Sequence, residues 1–154
     1  MLTFLLITCK IVNIMLIEIR EQLKKQIYGG GDVAAIFRDI LKLENEVDRD
    51  KEHFWIIGLN AKNNILYLEL VSLGTLTNSL IHPRETFRMA IMKGAASIIA
   101  AHNHPSGIPE ASREDKLVTK RLREAGTILG IKLLDHVIIG NGNDKHFSFA
   151  DSGW

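Results

Sequence analysis

The stretch that decides the fold is SIIAAHNHPSGIPEASREDKLVTKRLREAGTILGIKLLDHVIIG, residues 97–140. It opens with an apolar run at 97–101 that predicts a short buried strand. Apolar side chains then recur at helical spacing through 112–130, and a second apolar run at 131–140 predicts another strand. A strand, a helix and a strand in this order are typical of an α/β sheet.

The same alternation extends toward the N-terminus. Two apolar runs separated by AKNN have the pattern of a β-hairpin, and Pro83 stands in the first turn of a helix. Further strands are predicted at 53–60, 65–74 and 146–150, and further helices at 17–27, 32–47 and 82–96. Asp32 can cap the second of these helices. We therefore predict an α/β fold of three layers, in which helices flank a mixed β-sheet.

The first residues are apolar but interrupted by Lys10 and Asn13. They lack the basic start and the cleavage site of a signal peptide, and the run is too short for a spanning helix. Their β-branched content favours a strand or a packed arm, with Met15 as an alternative start. We expect residues 1–48 to form an N-terminal arm with helices, either a remnant or a mis-started leader, and residues 49–154 to form the domain. The charged run ENEVDRDKE between them predicts a solvated connection.

Composition excludes several classes of function. The chain has 19 basic and 18 acidic residues, so a broad electrostatic grip on nucleic acid is not expected. Cys9 is the only cysteine, which excludes an internal disulfide and a thiolate zinc cage. A single cysteine also suits a reducing compartment, and we expect a cytoplasmic protein without a membrane partner. The oligomeric state is left open.

The loop after the strand at 97–101 holds the residues that carry chemistry. His102 and His104 are two apart, so in an extended chain their side chains point to the same face and can bind one ion. Ser112 and Asp115 are three apart at a helix start, which places Asp115 as a third, anionic ligand. Two histidines, a carboxylate and an open fourth position form a catalytic zinc arrangement. The alternative is a capping box of Ser112 and Asp115 beside two surface histidines, and spacing alone leaves both interpretations open.

These residues resemble a known motif. The pattern H-x-H-P-x6-S-x2-D, here His102, His104, Pro105, Ser112 and Asp115, is similar to that of the JAMM metalloproteases. The segments GTLTNSLIHPRETF, AHNHPSGIPEASRED and LLDHVIIG resemble the bacterial RadC-like branch of that group, over roughly residues 50 to 150. The resemblance implies a JAMM fold, which is similar to the cytidine-deaminase fold. Deaminase chemistry itself is excluded, because its C-x-x-C ligands are absent.

The resemblance implies a zinc-dependent hydrolase that cleaves an amide or isopeptide bond of an unknown peptide or protein substrate. The zinc ligands would be His102, His104 and Asp115. Glu52 would act as general base, Ser112 would stabilise the oxyanion, and Glu85 is a rival for the base. Glu52 can also be read as the last charge of the preceding charged run.

Two features limit what the resemblance implies. Asn103 stands where deubiquitinating JAMM members usually carry Ser or Thr, which weakens any inference to ubiquitin as substrate. RadC-like proteins also carry a DNA-repair label, so the alternative is a DNA-repair-associated accessory protein with a metal-binding JAMM fold and no peptidase activity. RadC-like proteins often carry an N-terminal helix-hairpin-helix segment, and the resemblance makes residues 32–47 a candidate remnant of one.

The remaining histidines are weaker candidates. His82 precedes a proline at a helix start, where a turn or cap role is expected. His136 lies in an apolar strand and is either a hydrogen-bonding support for a metal ligand or a core histidine. His53 and His146 are predicted to lie at strand edges.

Overall fold

The computed structural model describes residues 8–11, 14–17, 26–74, 81–140 and 145–154. The order of helices and strands follows the predicted alternation over most of this range. The elements are β1 Thr8–Ile11, β2 Ile14–Ile17, α1 Gly30–Leu43, α2 Glu46–Arg49, β3 Glu52–Leu59, β4 Ile65–Gly74, α3 Pro83–Met92, β5 Ser97–Asn103, α4 Arg113–Leu129, β6 Lys132–Ile139 and β7 His146–Ser148.

The described strands form one sheet in the order β1-β2-β4-β3-β5-β6-β7. Strands β5 and β6 are parallel and the other neighbouring pairs are antiparallel, so the predicted mixed sheet is confirmed. A parallel pair needs a long crossover, and α4 supplies it between β5 and β6. The predicted edge strand near the C-terminus is confirmed as β7.

Helices cover both faces of the sheet, which confirms the three layers. On one face Phe37 of α1 packs with Trp55 of β3 in one core cluster. On the other face Phe87 of α3 and Leu122 of α4 pack with Phe54 in a second cluster. Neighbouring residues of β3 thus enter opposite cores, as the period of two in a strand requires. Burial on both faces explains why β3 reads as a continuous apolar run.

Helix α1 begins earlier than predicted. Gly29 is the N-cap, and Asp32 lies in the first turn, where its carboxylate accepts a hydrogen bond of 2.9 Å from the Tyr28 N–H. A Cβ added at Gly30 would lie 2.9 Å from Cβ of Ser148, so the bare backbone lets the helix start against β7. The prediction of Asp32 as the cap is therefore wrong, because a distant contact sets the helix start.

The segments before β3 differ in part from the predictions. The charged connection contains the short helix α2, none of whose residues is buried. Strands β1 and β2 confirm the strand predicted near the N-terminus, and β2 pairs with β4. Of the helix predicted at 17–27, Ile17 lies in β2 and Gln26 forms a bridge with Asn64, while 18–25 lie outside the described residues. The division of the chain near residue 48 stays a prediction.

The sheet brings the ends of several elements to one edge. Strand β3 is antiparallel to β5, with Phe54 opposite His102, so β3 begins where β5 ends. Strand β6 ends at the same edge, with Ile139 opposite Asn103, and α4 begins there after the loop. Within the described part of the chain no helix is both long and apolar enough to cross a bilayer.

Candidate metal centre

The two histidines of the H-x-H motif converge at the end of β5. His102 is buried and forms the last β5 pair with β3, while His104 follows the strand and donates its backbone N–H to the carbonyl of Ile139. The Nε2 atoms of His102 and His104 lie 2.9 Å apart. The extended backbone therefore brings both rings to one point, as the spacing of two predicts.

Asp115 reaches the same point from the start of α4. Its carboxylate lies 3.1 Å from Nε2 of His102 and 3.4 Å from Nε2 of His104. Ser112 and Asp115 also form the capping box, in which the Ser112 Oγ accepts the Asp115 N–H and the Asp115 carboxylate accepts the Ser112 N–H. The capped helix start thus mounts the carboxylate beside the histidines. We call His102, His104 and Asp115 the ligand triad.

The hydrogen bonds of His102 fix which ring nitrogen faces the triad. Thr119 Oγ donates to the carbonyl of Asp115 at 2.6 Å, so it can only accept from Nδ1–H of His136, 2.7 Å away. A neutral His136 then accepts at Nε2 from Nδ1–H of His102, at 2.8 Å. Burial, the largest cause, lowers the pKa of His136 well below its usual range, so the ring is neutral. A neutral His102 therefore has its lone pair on Nε2.

A single hydrogen bond determines which nitrogen of the His104 ring carries the proton. Its Nδ1 lies 2.8 Å from the carbonyl oxygen of Ile108. A carbonyl only accepts, so Nδ1 carries the proton and the lone pair of the neutral ring lies on Nε2. Two neutral rings would thus present Nε2 lone pairs to each other and to a carboxylate, so a proton or a metal ion must lie between these groups.

The donor set fits zinc. Zinc takes histidine nitrogen and carboxylate oxygen at about 2.0–2.2 Å in tetrahedral geometry, which places its donors roughly 3.3 Å apart. The two Nε2 atoms lie 2.9 Å apart, and the Asp115 carboxylate approaches them through different oxygens, Oδ1 at 3.1 Å from His102 and Oδ2 at 3.4 Å from His104. Three protein donors leave a fourth position for water or substrate, which is the arrangement of catalytic sites. The hydrogen bonds of His136 and Ile108 orient the ligands in the manner known for zinc-binding histidines.

Protons and metal ions compete for this cluster. Burial by itself raises the pKa of Asp115, but hydrogen bonds from His102, His104 and Ser112 outweigh burial and hold the pKa well below its usual range. The hydrogen bond to Asp115 raises the pKa of His104, and burial opposes it only in part. The triad therefore holds positive charge strongly, and metal binding must displace protons from it.

Glu52 lies beside the triad. It is the first residue of β3, and its carboxylate and one ring nitrogen each of His102 and His104 lie within 4.8 Å of one another. The rival Glu85 is in the first turn of α3, where its carboxylate lies 3.5 Å from Arg84 and from Arg88. Among the described residues, the side chains whose ligand atoms lie close enough together to hold one ion are Glu52, His102 and His104. Glu52 is therefore also a possible ligand beside the triad, whereas Glu85 is not in this group.

The other histidines take different positions. His136 provides the support for His102 that the sequence left as one of two alternatives. His82 is the N-cap of α3, although its side chain makes no capping bond within the described residues. His146 lies in the edge strand β7.

The prediction of His53 as a strand-edge residue is wrong. Its ring is fully buried and stacks on Trp55, with centroids 4.9 Å apart. Burial, the largest cause, lowers the pKa of His53. The reason for the error is that β3 is an inner strand, flanked by β4 and β5.

Thr119, which fixes the ring of His136, was not among the site residues predicted from the sequence. Thr119 is four residues after Asp115 on α4, so both residues lie on the same face of the helix. That spacing is the signal that could have identified it. The pairing with His136 was not available from spacing, because it depends on the crossover from α4 to β6.

Comparison with known proteins places this centre within a family. The chain is 50% identical over 140 residues to a UPF0758 protein of Caldanaerobacter subterraneus subsp. tengcongensis, covering 90% of this chain and 59% of that protein. It is 55% identical over 113 residues to a UPF0758 protein of Desulforamulus reducens, covering 73% and 49%. A UPF0758 protein of Listeria monocytogenes is 53% identical over 104 residues, covering 68% and 46%.

The chain spans about half the length of these relatives. A family model described as the RadC-like JAB domain matches residues 31–154. This range includes the ligand triad, Glu52 and the supporting His136 and Thr119. The match covers most of the chain, and the chain therefore belongs to the RadC-like JAB domain family.

Proposed function

We propose that this protein is a zinc-dependent hydrolase that cleaves an amide or isopeptide bond. The observation that carries the proposal is the convergence of two Nε2 lone pairs and a carboxylate at one point, with Glu52 beside it. Family membership supports a JAB fold, and the names of the relatives state no activity. The reaction is therefore argued from the chemistry of the site.

The ligand triad would hold the zinc ion, because its three donors are preorganised by contacts outside the ion. His104 is held by the Ile108 carbonyl, His102 by His136, and Asp115 by the capping box. When bound, zinc supplies Lewis acidity and lowers the pKa of a coordinated water to ~7.

Glu52 would move the proton. A carboxylate at this position can accept a proton from the attacking water and then donate it to the leaving amine. An amide needs this second step, because an amine leaves far more readily when its nitrogen is protonated. Glu52 is half-buried, and its carboxylate lies close to the two histidines of the triad.

Ser112 has a more conditional role. Its hydroxyl donates to the Asp115 carboxylate at 2.6 Å, so in this structure the serine orients a ligand. An oxyanion role requires the hydroxyl to turn toward the substrate oxygen. The Ser112 N–H would keep its own bond of 2.8 Å to the same carboxylate oxygen during that rotation.

Metal analysis of the purified protein tests the site directly. We expect about one zinc per chain, and loss of zinc when both His102 and His104 are replaced by alanine. The matched control replaces His82 and His146, which also removes two histidines but leaves the triad intact. Zinc content that is equal in the two double variants would overturn the proposed centre.

Hydrolysis is tested with the zinc-loaded protein on two mixtures of fluorogenic substrates, one of linear peptides and one of lysine-linked isopeptides. Cleavage in either mixture should fall by a factor of about 100 or more in Glu52→Gln, since a positioned acid–base group contributes 10²–10⁴-fold. Equal cleavage by Glu52→Gln and the unmodified protein would remove Glu52 from the reaction. DNA association stays a prediction of the family resemblance, and the salt dependence of duplex binding tests it.

A further inference from the structure

Asn103 occupies the position between the two histidine ligands, and its side chain points away from them. It is 6% exposed, and its amide makes two hydrogen bonds to the backbone of β3 and the residue before it. The amide oxygen accepts from the N–H of His53 at 2.7 Å, and the amide nitrogen donates to the carbonyl of Lys51 at 3.0 Å. These two backbone groups stand on either side of Glu52.

The two bonds take the place of backbone pairing between β3 and β5, which does not extend as far as Glu52. Backbone pairing between β3 and β5 runs from Leu59 opposite Ser97 to Phe54 opposite His102, and ends there. Glu52 lies beyond that last pair, and on its other side it is opposite Gly74, the final residue of β4. On the β5 side, the Asn103 amide ties the chain on both sides of Glu52 to the histidine strand.

We propose that Asn103 is a positioning residue for Glu52, an inference that rests on the proposed hydrolase function. The same three residues at the end of β5, 102–104, carry the histidine ligands on one side and, through Asn103, fix the backbone of the base on the other. The distance between base and metal is therefore set by one strand. Such control matters, because a displacement of about 1 Å at a reacting group can cost roughly 10²-fold in rate.

The role is specific to an amide side chain. Asn offers an acceptor and a donor on two separate atoms. A Ser or Thr hydroxyl also accepts and donates, but both bonds must meet at one oxygen on a shorter side chain, and ionised Asp has no proton to donate. Orientation of the amide is dictated by its partners, since the His53 N–H only donates and the Lys51 carbonyl only accepts. Both bonds are buried or half-buried, so water competes weakly for them.

Cobalt(II) provides a test that needs no substrate, because its visible absorption reports the ligands and ionisation of the bound site. The visible absorption of the cobalt-loaded protein is measured as a function of pH. Glu52→Gln should shift the pH at which this curve has its inflection. Asn103→Leu, which is similar in shape but makes neither bond, should shift it in the same direction by about 0.5–1 pH unit, a roughly 3- to 10-fold change. Asn103→Leu added to Glu52→Gln should produce no further shift.

A matched control exists at the opposite end of β3. The Asn60 side chain accepts the backbone N–H groups of Lys62 and Asn64 at 2.9 and 3.0 Å, so Asn60→Leu also removes two backbone hydrogen bonds. We expect Asn60→Leu to lower stability while leaving the cobalt inflection in place. A general loosening of the fold would instead move the inflection in both variants.

The outcomes separate the two proposals. If the unmodified protein binds no cobalt at the triad, the proposed hydrolase function fails. If Glu52→Gln moves the inflection and Asn103→Leu moves it no more than Asn60→Leu does, the function stands and the role of Asn103 is wrong. Should Asn103→Leu not fold, Asn103→Ser retains one hydroxyl and should give a smaller shift in the same direction. No shift in that variant overturns the inference as well.

Discussion

Replacing Thr119 by valine should weaken zinc binding without touching a ligand. The side chain is 1% exposed, and its hydroxyl joins the Asp115 carbonyl to Nδ1–H of His136. Without the Thr119 hydroxyl, Nδ1–H of His136 has no hydrogen-bond acceptor among the residues that the structure describes. The ring can then move its proton to Nε2 and donate to His102, which places the His102 proton on the nitrogen that faces the triad.

The expected magnitude follows from these contacts. Loss of a support to a metal-binding histidine typically costs 10- to 100-fold in metal affinity, or about 1.4–2.7 kcal/mol. Leaving a buried donor without a partner costs about 1–3 kcal/mol in the free energy of unfolding. Zinc affinity would be measured by competition with a chromogenic chelator, and stability by urea unfolding of the zinc-free protein.

The same helix supplies the control. Thr127 is exposed and its hydroxyl donates to the carbonyl of Arg123 at 2.9 Å, the same bond to the fourth preceding residue that Thr119 makes. Thr127→Val should leave zinc affinity unchanged. If Thr119→Val weakens zinc binding by less than about threefold relative to Thr127→Val, the proposed chain of protonated nitrogens is incorrect.

Two further predictions concern stability. Burial, opposed in part by Arg88, raises the pKa of Glu69 to about 7 from 4.5, so the stabilisation by its bound proton is complete below about pH 4.5 and is lost as the pH rises through 7. Between these pH values the free energy of unfolding, measured with urea, should fall by up to about 3 kcal/mol more in the unmodified protein than in Glu69→Gln. The same pH dependence in both proteins would contradict this prediction. Gly58→Ala should cost about 1–3 kcal/mol or more, because its Cβ would lie 1.9 Å from the Tyr67 ring. Gly29→Ala has nothing within 4 Å and should lose only the preference of an N-cap for glycine over alanine, about 0.5–1 kcal/mol. Equal effects in urea unfolding would refute the packing argument.

The parts of the fold that depend on local patterns could be predicted from the sequence. The two apolar runs flanking AKNN correctly predicted the hairpin of β3 and β4, and the helical spacing after Ser112 correctly predicted α4. The positions of His102, His104 and Asp115 relative to one another also follow from strand and helix periods. One loop joins β5 to α4, so the spacing of these residues along the chain is enough to predict that their side chains meet.

The errors and omissions all involve contacts between distant residues. The start of α1 depends on the approach of Gly30 to Ser148, and the burial of His53 depends on which strands flank β3. The two bonds of Asn103 require β3 and β5 to be neighbours across fifty residues of chain. Hydrophobic periodicity shows which face of an element is buried, but it does not give the order of strands in a sheet.

The ligand triad and Glu52 come from separate parts of the chain. The three proposed ligands lie within residues 102–115, in one strand, one loop and the first turn of one helix. The proposed base lies at the start of β3, about fifty residues earlier in the chain. In the proposed hydrolase, metal retention and bond cleavage would therefore depend on separate segments of the chain and would be separable in evolution. A descendant with a neutral residue at position 52 would keep His102, His104 and Asp115 in place and lack only the proposed base.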